Sequence, residues 1–411
     1  MDVYLVGGAV RDEELGMPAR ERDWCVVGAT PDQMEALGYR PVGSDFPVFL
    51  HPETGEEYAL ARTERKTGAG YHGFAFHTTP DITIEEDLKR RDLTINAMAR
   101  DANGMLIDPW NGRADIESKT LRHVSDAFAE DPVRILRVAK FAARFASLGF
   151  RVADSTMQLM RGMVMDGEAD ALVPERVWKE TEAALAGPDP RIFFDTLRDC
   201  GALAVVFPEV DALFGVPQPE KWHPEIDCGV HSLMVLEQAA MLSGDADVRF
   251  AALVHDLGKA TTPKKDLPQH SGHERRSIRL VREMASRLRI PVAFRELACL
   301  AAEFHAHTHR AFELRPSTVL KVLNRVDAFR RPERLAKFLL VCEADAKGRK
   351  GLEDRPYPQA DYFRTAFQAA SSVELGDLGG STLRGAEIGK QVETRRRDAI
   401  ANVKKNYEPP K

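Results

Sequence analysis

The stretch LVGGAVRDEELGMPARERDW, residues 5–24, decides how the chain is read. A short β-rich run, VYLV, ends in Gly7-Gly8. A helix start follows, and then Glu21 and Asp23 open a second apolar run, DWCVVGA. In a strand, residues two apart share a face, so Glu21 and Asp23 are expected to point the same way. Two carboxylates on one face can hold Mg²⁺ through oxygen ligands, and a pair of such ions clamps the attacking and leaving oxygens of a phosphoryl transfer. The glycine turn lets backbone N–H groups approach a triphosphate, and Arg11 adds charge beside it. Each piece alone is weak, because a glycine pair is usually only a turn and an acidic pair on a strand is usually solvated.

Further along, PVFLH and EEYALAR read as a third and a fourth strand, separated by the turn residues Pro52, Glu53, Thr54 and Gly55. From about Ile82 onward the pattern is helical and stays so. EDPVRILRVAKFAARF carries a clear start signal, with Asp131 as N-cap and Pro132 at the first helical position. The fold class expected is therefore α+β, a small N-terminal α/β head followed by an all-helical body. The segment Gly215, Val216, Pro217, Gln218, Pro219 reads as a linker, and 354–358, DRPYP, is a second breaker cluster. The domain boundaries expected are 1–125, 126–215, 216–350 and 351–411.

The chain has 411 residues, enough for two to four domains. With 44% hydrophobic and 29% charged residues it has an ordinary globular composition. No apolar run approaches ~18 residues, so no membrane span is expected, and MDVYLVGG lacks the basic start and apolar length of a signal peptide. The five cysteines form no CxxC pair, so neither a zinc cage nor a disulfide framework is indicated and a reducing cytoplasm fits. A net charge of −6 argues against a nucleic-acid partner, since phosphate binding relies on Lys and Arg, but the total hides clustering. Arg134, Arg137, Lys140, Arg144 and Arg151 fall close together, as do Arg395, Arg396, Arg397, Lys404 and Lys405, so a locally basic groove is expected.

Taken together the motifs are far more specific than any one of them. GGAVRD, ERDW, EEYALARTERK, DLKRRDLTINAMA, DPWNG and EDPVRILRVAKFAARF, in this order and spacing, resemble the class II tRNA nucleotidyltransferases, the CCA-adding enzymes. The likeness continues through VPERVWKE and FFDTLRDCGAL. WHPEIDCGVHSLMVL and FAALVHDLGKATTP resemble the HD domain that such enzymes carry in some bacteria. The resemblance implies a polymerase-beta-like nucleotidyltransferase head. It places Gly8 and Arg11 on the nucleotide phosphates and makes Glu21 and Asp23 the Mg²⁺ ligands. Family members often have Asp-x-Asp where this chain has Glu first. Glu57, on a neighbouring strand, is a candidate third acid. Arg91 is implied on the incoming nucleotide and Asp92 near its ribose. The glycine-rich stretch 63–81 reads as a mobile loop, which in the family helps the switch from adding C to adding A.

Asp131 and Arg134, three apart near a helix start, can reach the same spot. Cytosine and adenine both present an amino donor beside a ring-nitrogen acceptor. An aspartate accepts from the first and an arginine donates to the second. Guanine and uracil reverse both groups, so one protein edge accepts C and A and rejects G and U, with pairs of this kind contributing about 1–3 kcal/mol of discrimination. On the same helix Arg134, Arg137, Lys140 and Arg144 fall within an arc of about 120°, opposite Ile135, Val138, Ala142 and Phe145. This stripe is expected to face phosphates. Lys140 stands where related enzymes commonly have arginine, and keeps the charge without the planar fork.

In the second half His231, His255, Asp256, His273, His305 and Asp345 lie on predicted helices. Mixed imidazole and carboxylate donors favour a transition metal. The resemblance to HD phosphohydrolases makes His231, His255, Asp256 and Asp345 the core ligands, with His273 and His305 available to a second metal. His307 and His309 have no matched role and read as surface residues. In CCA-adding enzymes this domain is linked to phosphatase, 2′-nucleotidase and 2′,3′-cyclic phosphodiesterase activities, with Ni²⁺ favoured. The expected partners are thus the tRNA 3′ end, CTP and ATP, with no membrane and no obligatory protein partner. The rival readings are a bacterial poly(A) polymerase, an HD phosphohydrolase whose head merely binds RNA, and a non-catalytic RNA-binding protein.

Overall fold

The computed structural model describes residues 1–19, 21–42, 48–66, 74–374 and 385–408. They form two compact units, Met1–Val206 and Phe207–Lys411.

The first unit is built on a seven-stranded sheet. Its strands, with the other short strands of the unit, are β1 (Asp2–Val6), β2 (Asp23–Val27), β3 (Arg40–Val42), β4 (Val48–Leu50), β5 (Glu57–Leu60), β6 (Thr63–Lys66), β7 (Phe74–His77), β8 (Ala99–Arg100), β9 (Leu106–Ile107), β10 (Thr120–Leu121) and β11 (Arg151–Val152). The sheet order is β3-β4-β5-β2-β1-β8-β9. The β2–β5 pair is parallel and sets Asp23 opposite Glu57. DWCVV is apolar without alternation because both faces are covered. Cys25 packs with Val6, Ile84 and Leu88 on one side, while Val26 packs with Met34, Phe49 and Leu60 on the other.

The helices of this unit are α1 (Gly8–Glu14), α2 (Pro31–Ala36), α3 (Ile84–Lys89), α4 (Gly112–Glu117), α5 (Val133–Phe145), α6 (Asp154–Met165), α7 (Pro174–Leu185), α8 (Pro190–Asp199) and α9 (Ala202–Val206). Helix α5 begins one residue later than its sequence suggests. Asp131 remains extended, and its carboxylate accepts from the Val133 N–H at 3.1 Å, so it still caps the first turn. Ile135, Val138, Ala142 and Phe145 are buried as expected.

The expectation of unbroken helix after Ile82 is corrected by β8 to β11. These two-residue strands are too short to carry a period of their own, yet β8 and β9 extend the main sheet beyond β1. Strand β3 and helix α2 also went unread. Within the stretch 63–81 read as a loop, β6 and β7 instead pair as antiparallel strands, and residues 67–73 lie outside those described.

The second unit contains α10 (Pro208–Asp211), α11 (Cys228–Leu242), α12 (Ala246–Val254), α13 (His273–Arg287), α14 (Val292–His309), α15 (Pro316–Arg325), α16 (Pro332–Lys347), α17 (Pro358–Ser371) and α18 (Gly385–Asn406). The linker reading of 215–219 is corrected. Gln218 is buried and accepts from Lys259 Nζ at 2.8 Å, and Pro217 bridges to Asp227. Its prolines and glycine shape a packed turn inside the unit. Among the described residues no helix is long and apolar enough to cross a membrane.

Candidate active sites

A cleft of about 1030 Å³ opens in the first unit, large enough for a nucleotide. Gly8, Arg11, Glu21, Asp23, Glu57, Arg91, Asp92, Asp131, Arg134, Arg137 and Lys140 all line it. The fold thus gathers onto one surface residues drawn from more than a hundred positions of sequence.

At one end lie the exposed carboxylates. Strand β2 starts at Asp23, so Glu21 sits in the connection before it, and the period-two argument applies to Asp23 but not to Glu21. Asp23 faces Glu57 across the parallel register. Enclosure in the cleft raises the Asp23 carboxyl pKa, Arg91 opposes this, and the nearby charge of Glu21 adds to it. The oxygens of Glu21, Asp23 and Glu57 are not drawn within 4.8 Å of one another. The donors are carboxylate oxygens alone, a set that fits a hard cation such as Mg²⁺.

Gly7 takes φ 70°, a conformation that favours glycine, and a Cβ there would lie 2.8 Å from Arg91 Nη1 and push that guanidinium aside. Asp87, fully buried, bonds Arg90 at 2.6 Å and Arg91 at 3.2 Å and fixes both heads. Asp87 was missed in the sequence, although its i, i+3 and i, i+4 spacing to these arginines is a readable signal.

The cations behind the cleft are held by acids on other elements. Arg11 is 3% exposed. It donates to Asp12 at 2.7 and 2.9 Å and to Asn96 at 2.5 Å. Asn96 in turn donates to Asp92 at 3.0 Å, Arg137 donates to Asp92 at 2.7 Å, and Arg144 donates to Asp12 at 3.0 Å. The result is a continuous ladder, Arg144–Asp12–Arg11–Asn96–Asp92–Arg137. Burial pushes the Asp92 carboxyl up, but Arg137, Asn96 and the Leu93 N–H outweigh it and hold it far below the usual carboxylate range. Lys140 pairs with Glu180 at 2.5 Å. The stripe on α5 is therefore not a row of unpaired charges.

Asp131 and Arg134 line the same cleft, and each is anchored. Arg134 donates to the carbonyls of Ala127 at 2.6 Å and Arg90 at 2.7 Å. Asp131 is gripped by Arg176 of α7. Neither Arg176 nor Glu180 was read as functional, since nothing local in VPERVWKE points to a partner some 40 residues away.

The second unit gathers a denser set. His231 of α11, His255 and Asp256 after α12, His273 at the start of α13, His305 in α14 and Asp345 in α16 converge in three overlapping groups, each with ligand atoms within 4.8 Å. Four imidazoles share one device. Nδ1 of His231, His255, His273 and His305 faces the backbone carbonyl of Gly348, Ala252, His270 and Ala301 respectively, at 2.7–3.1 Å. A carbonyl only accepts, so each Nδ1 carries its hydrogen and each Nε2 points inward. These Nε2 atoms then meet carboxylate oxygens: His231 to Asp345 at 3.2 Å, His255 to Asp256 at 3.1 Å and His273 to Asp256 at 3.2 Å. Such a contact is repulsive unless the imidazole takes a second proton or a cation stands between. Burial lowers the His255 pKa, but Asp256 and Asp345 carry it up to about 9. Burial pushes His305 down to about 3. The buried His255 Nε2 and Asp256 Oδ1 lack any hydrogen-bond partner. The donor set and its orientation fit a metal.

Gly258 permits this approach, because a Cβ there would strike the His273 carbonyl at 2.2 Å. The surface reading of His309 is corrected. One turn beyond His305 on α14, its Nε2 lies 2.6 Å from Asp345 Oδ2, and its Nδ1 meets the Tyr357 hydroxyl at 2.9 Å. His307 is half-buried against Phe304. Glu225, also missed, accepts from His231 at 3.0 Å and His223 at 3.1 Å.

With this geometry in hand, comparison with known proteins is direct. Residues 3–122 match the Poly A polymerase head domain, 149–214 the probable RNA and SrmB-binding site of polymerase A, and 229–332 the HD domain. Fold and sites define a nucleotidyltransferase head joined to an HD domain. A relative from Thioalkalivibrio sulfidiphilus (strain HL-EbGR7), the Multifunctional CCA protein, is 66% identical over 407 residues, 99% of this chain and 100% of its own. The Multifunctional CCA protein of Alkalilimnicola ehrlichii is 60% identical over 410 residues, 100% of this chain and 99% of its own. The chain belongs to the multifunctional CCA protein family, and it is an enzyme. The structure of the Thermotoga maritima CCA-adding enzyme complexed with tRNA_CCA shares the fold at a TM-score of 0.65 and 18% identity, over 100% of this chain and 88% of that one. So does a CCA-adding enzyme with CTP, at 0.64 and 19%, over 99% and 88%.

Proposed function

We propose that the protein builds and repairs the 3′ CCA end of tRNA from CTP and ATP without a nucleic-acid template, releasing pyrophosphate, and that its HD site hydrolyses phosphate esters. The observation that carries the first activity is the single cleft in which Asp23, Glu57, Arg91, Asp131 and Arg134 all meet. Work is divided along the chain, with a nucleotidyltransferase head in 1–125, base and tRNA binding in 126–215, phosphohydrolysis in 216–350 and a helical tail in 351–411. The setting is the cytoplasm.

Asp23, with Glu21 and Glu57, would hold Mg²⁺, which when bound supplies charge neutralisation at the reacting phosphoryl group. Gly8 leaves room for the triphosphate, and Arg11 and Arg91 lend it positive charge from fixed positions. Arg137 and Lys140 extend that field along α5. Asp92, held by Arg137, Asn96 and the Leu93 N–H, would accept from a ribose hydroxyl. Asp131 accepts from the amino group of C or A, while Arg134 donates to the ring nitrogen.

Incubation with tRNA lacking its terminal CCA and labelled CTP or ATP tests this reading. Two C and one A are expected. Long A tails would favour the poly(A) polymerase alternative, and no incorporation by folded protein would remove nucleotidyl transfer from the account. Asp131→Ala should slow the reaction and weaken selection of CTP over UTP by roughly tenfold to a hundredfold. An equal slowing of all four nucleotides would make Asp131 a helix cap only.

In the HD site His231, His255, Asp256 and Asp345 would hold a transition metal, by our reading Ni²⁺. When bound it supplies an electrophilic centre for ester hydrolysis. His273 and His305 stand ready for a second ion. Dialysis against a chelator is expected to abolish hydrolysis of 2′,3′-cyclic AMP, and Ni²⁺ to restore it far better than Mg²⁺, because imidazole donors favour the later transition metals. Equal restoration by Mg²⁺ would overturn the assignment of nickel.

A further inference from the structure

Asp131 is more tightly specified than its capping role requires. Its Oδ1 accepts from the Val133 N–H at 3.1 Å and from Arg176 Nη1 at 3.1 Å, and its Oδ2 accepts from Arg176 Nη2 at 2.7 Å. A carboxylate offers about four lone-pair sites, so these contacts use three of them and leave one, on Oδ2. Arg176 enters from the first turn of α7, 45 residues further along the chain, and lines the same cleft as Asp131. The pair is bidentate, which fixes the plane of the carboxylate as well as its position.

We propose that Arg176 is a specificity-determining residue of nucleotidyl transfer, acting through Asp131 by holding it as an oriented, acceptor-only edge. The inference rests on the reading of Asp131 as the group that meets the base. Its chemistry is simple. A guanidinium has donors and no acceptor. With Arg176 in place the remaining site on Oδ2 can only accept, which suits the amino group of cytosine or adenine and repels the carbonyl oxygen of uracil or guanine. Without it the carboxyl can rotate and turn its open lone pair away from the base. The Val133 N–H alone fixes one oxygen and leaves the other free to swing. Arg176 therefore enforces rejection of the wrong base without touching any base itself.

The test uses the full-length protein and tRNA ending before CCA. kcat/KM is measured separately for CTP, UTP, ATP and GTP in the parent, Arg176→Met, Arg176→Lys, Asp131→Ala and the Asp131→Ala/Arg176→Met double variant. Arg176→Met should lower the CTP:UTP ratio about tenfold. Arg176→Lys should lower it less, since a point charge keeps the attraction and loses the fork. The double variant should be no less selective than Asp131→Ala alone, because Arg176 has nothing left to orient. A packing defect slows all four nucleotides together and leaves the ratio in place. If Asp131→Ala lowers the ratio and neither Arg176 variant does, the inference is wrong and the reading of Asp131 survives. If Asp131→Ala itself leaves the ratio unchanged, both fall together. Should Arg176→Met fail to fold, the lysine variant decides alone: unchanged selectivity in it would count against the fork.

Discussion

Asp23→Ala is expected to abolish addition of both C and A, with a loss of at least ~10³-fold, or roughly 4 kcal/mol of transition-state stabilisation. The residue starts β2, faces Glu57 across the parallel pair and is exposed to the cleft. It caps no helix and anchors no apolar contact, so its truncation should change stability by no more than about 0.5 kcal/mol. Single-turnover incorporation into tRNA lacking CCA, beside a denaturant melt of the same preparation, separates the two effects. Near-normal incorporation by the folded variant would remove metal-assisted transfer at this carboxylate.

The second large effect concerns the other unit. His255→Ala with Asp256→Ala should eliminate hydrolysis of 2′,3′-cyclic phosphates, by ~10³-fold or more, and leave CCA addition largely intact. Both residues are buried, and removing Asp256 strands the Lys259 ammonium, which lies 2.6 Å away. Asp256→Asn, which keeps the side-chain volume, is therefore the companion variant. Circular dichroism reports the fold, and the two activities are assayed on one sample. Loss of nucleotidyl transfer in parallel with hydrolysis, in folded protein, would contradict the division of labour between the units.

Much of this was readable before any coordinates. DWCVVGA announced the second strand, and Asp131 with Pro132 announced the start of α5 within a residue. His231, His255, Asp256 and Asp345 were picked out through the resemblance of FAALVHDLGK and its flanking motifs to the HD domain, and the fold brings the four side chains into overlapping clusters. What escaped reading has a common physical origin. Glu180 and Arg176 matter through partners about 40 residues away, and no local period encodes such a pairing. The strands β8 and β9 draw their stability from the edge of an existing sheet, so two residues suffice and leave no pattern. His309 was misjudged because its neighbour His307 has only an apolar ring contact, and only the turn of α14 decides which of the two faces Asp345. The polar, proline-rich 215–219 looked like a tether, whereas its glutamine is a buried acceptor for Lys259.

The ladder from Arg144 through Asp12, Arg11, Asn96 and Asp92 to Arg137 also bears on how such a chain can change over generations. Its members come from α1, from Asp92 and the short turn after it, and from α5. Arg144 and Arg11 balance Asp12, Arg137 balances Asp92, and the neutral Asn96 links the two groups by hydrogen bonds. Losing one member of a buried charge pair typically costs 3–5 kcal/mol, because the other is left uncompensated, whereas exchanging a whole set for well-packed neutral residues can cost nothing. Drift at these positions is therefore blocked one letter at a time and open only to simultaneous exchanges. A lineage would keep the whole ladder or replace it wholesale, and the residues would travel together as a unit of inheritance although Arg11 and Arg144 stand 133 positions apart in the chain.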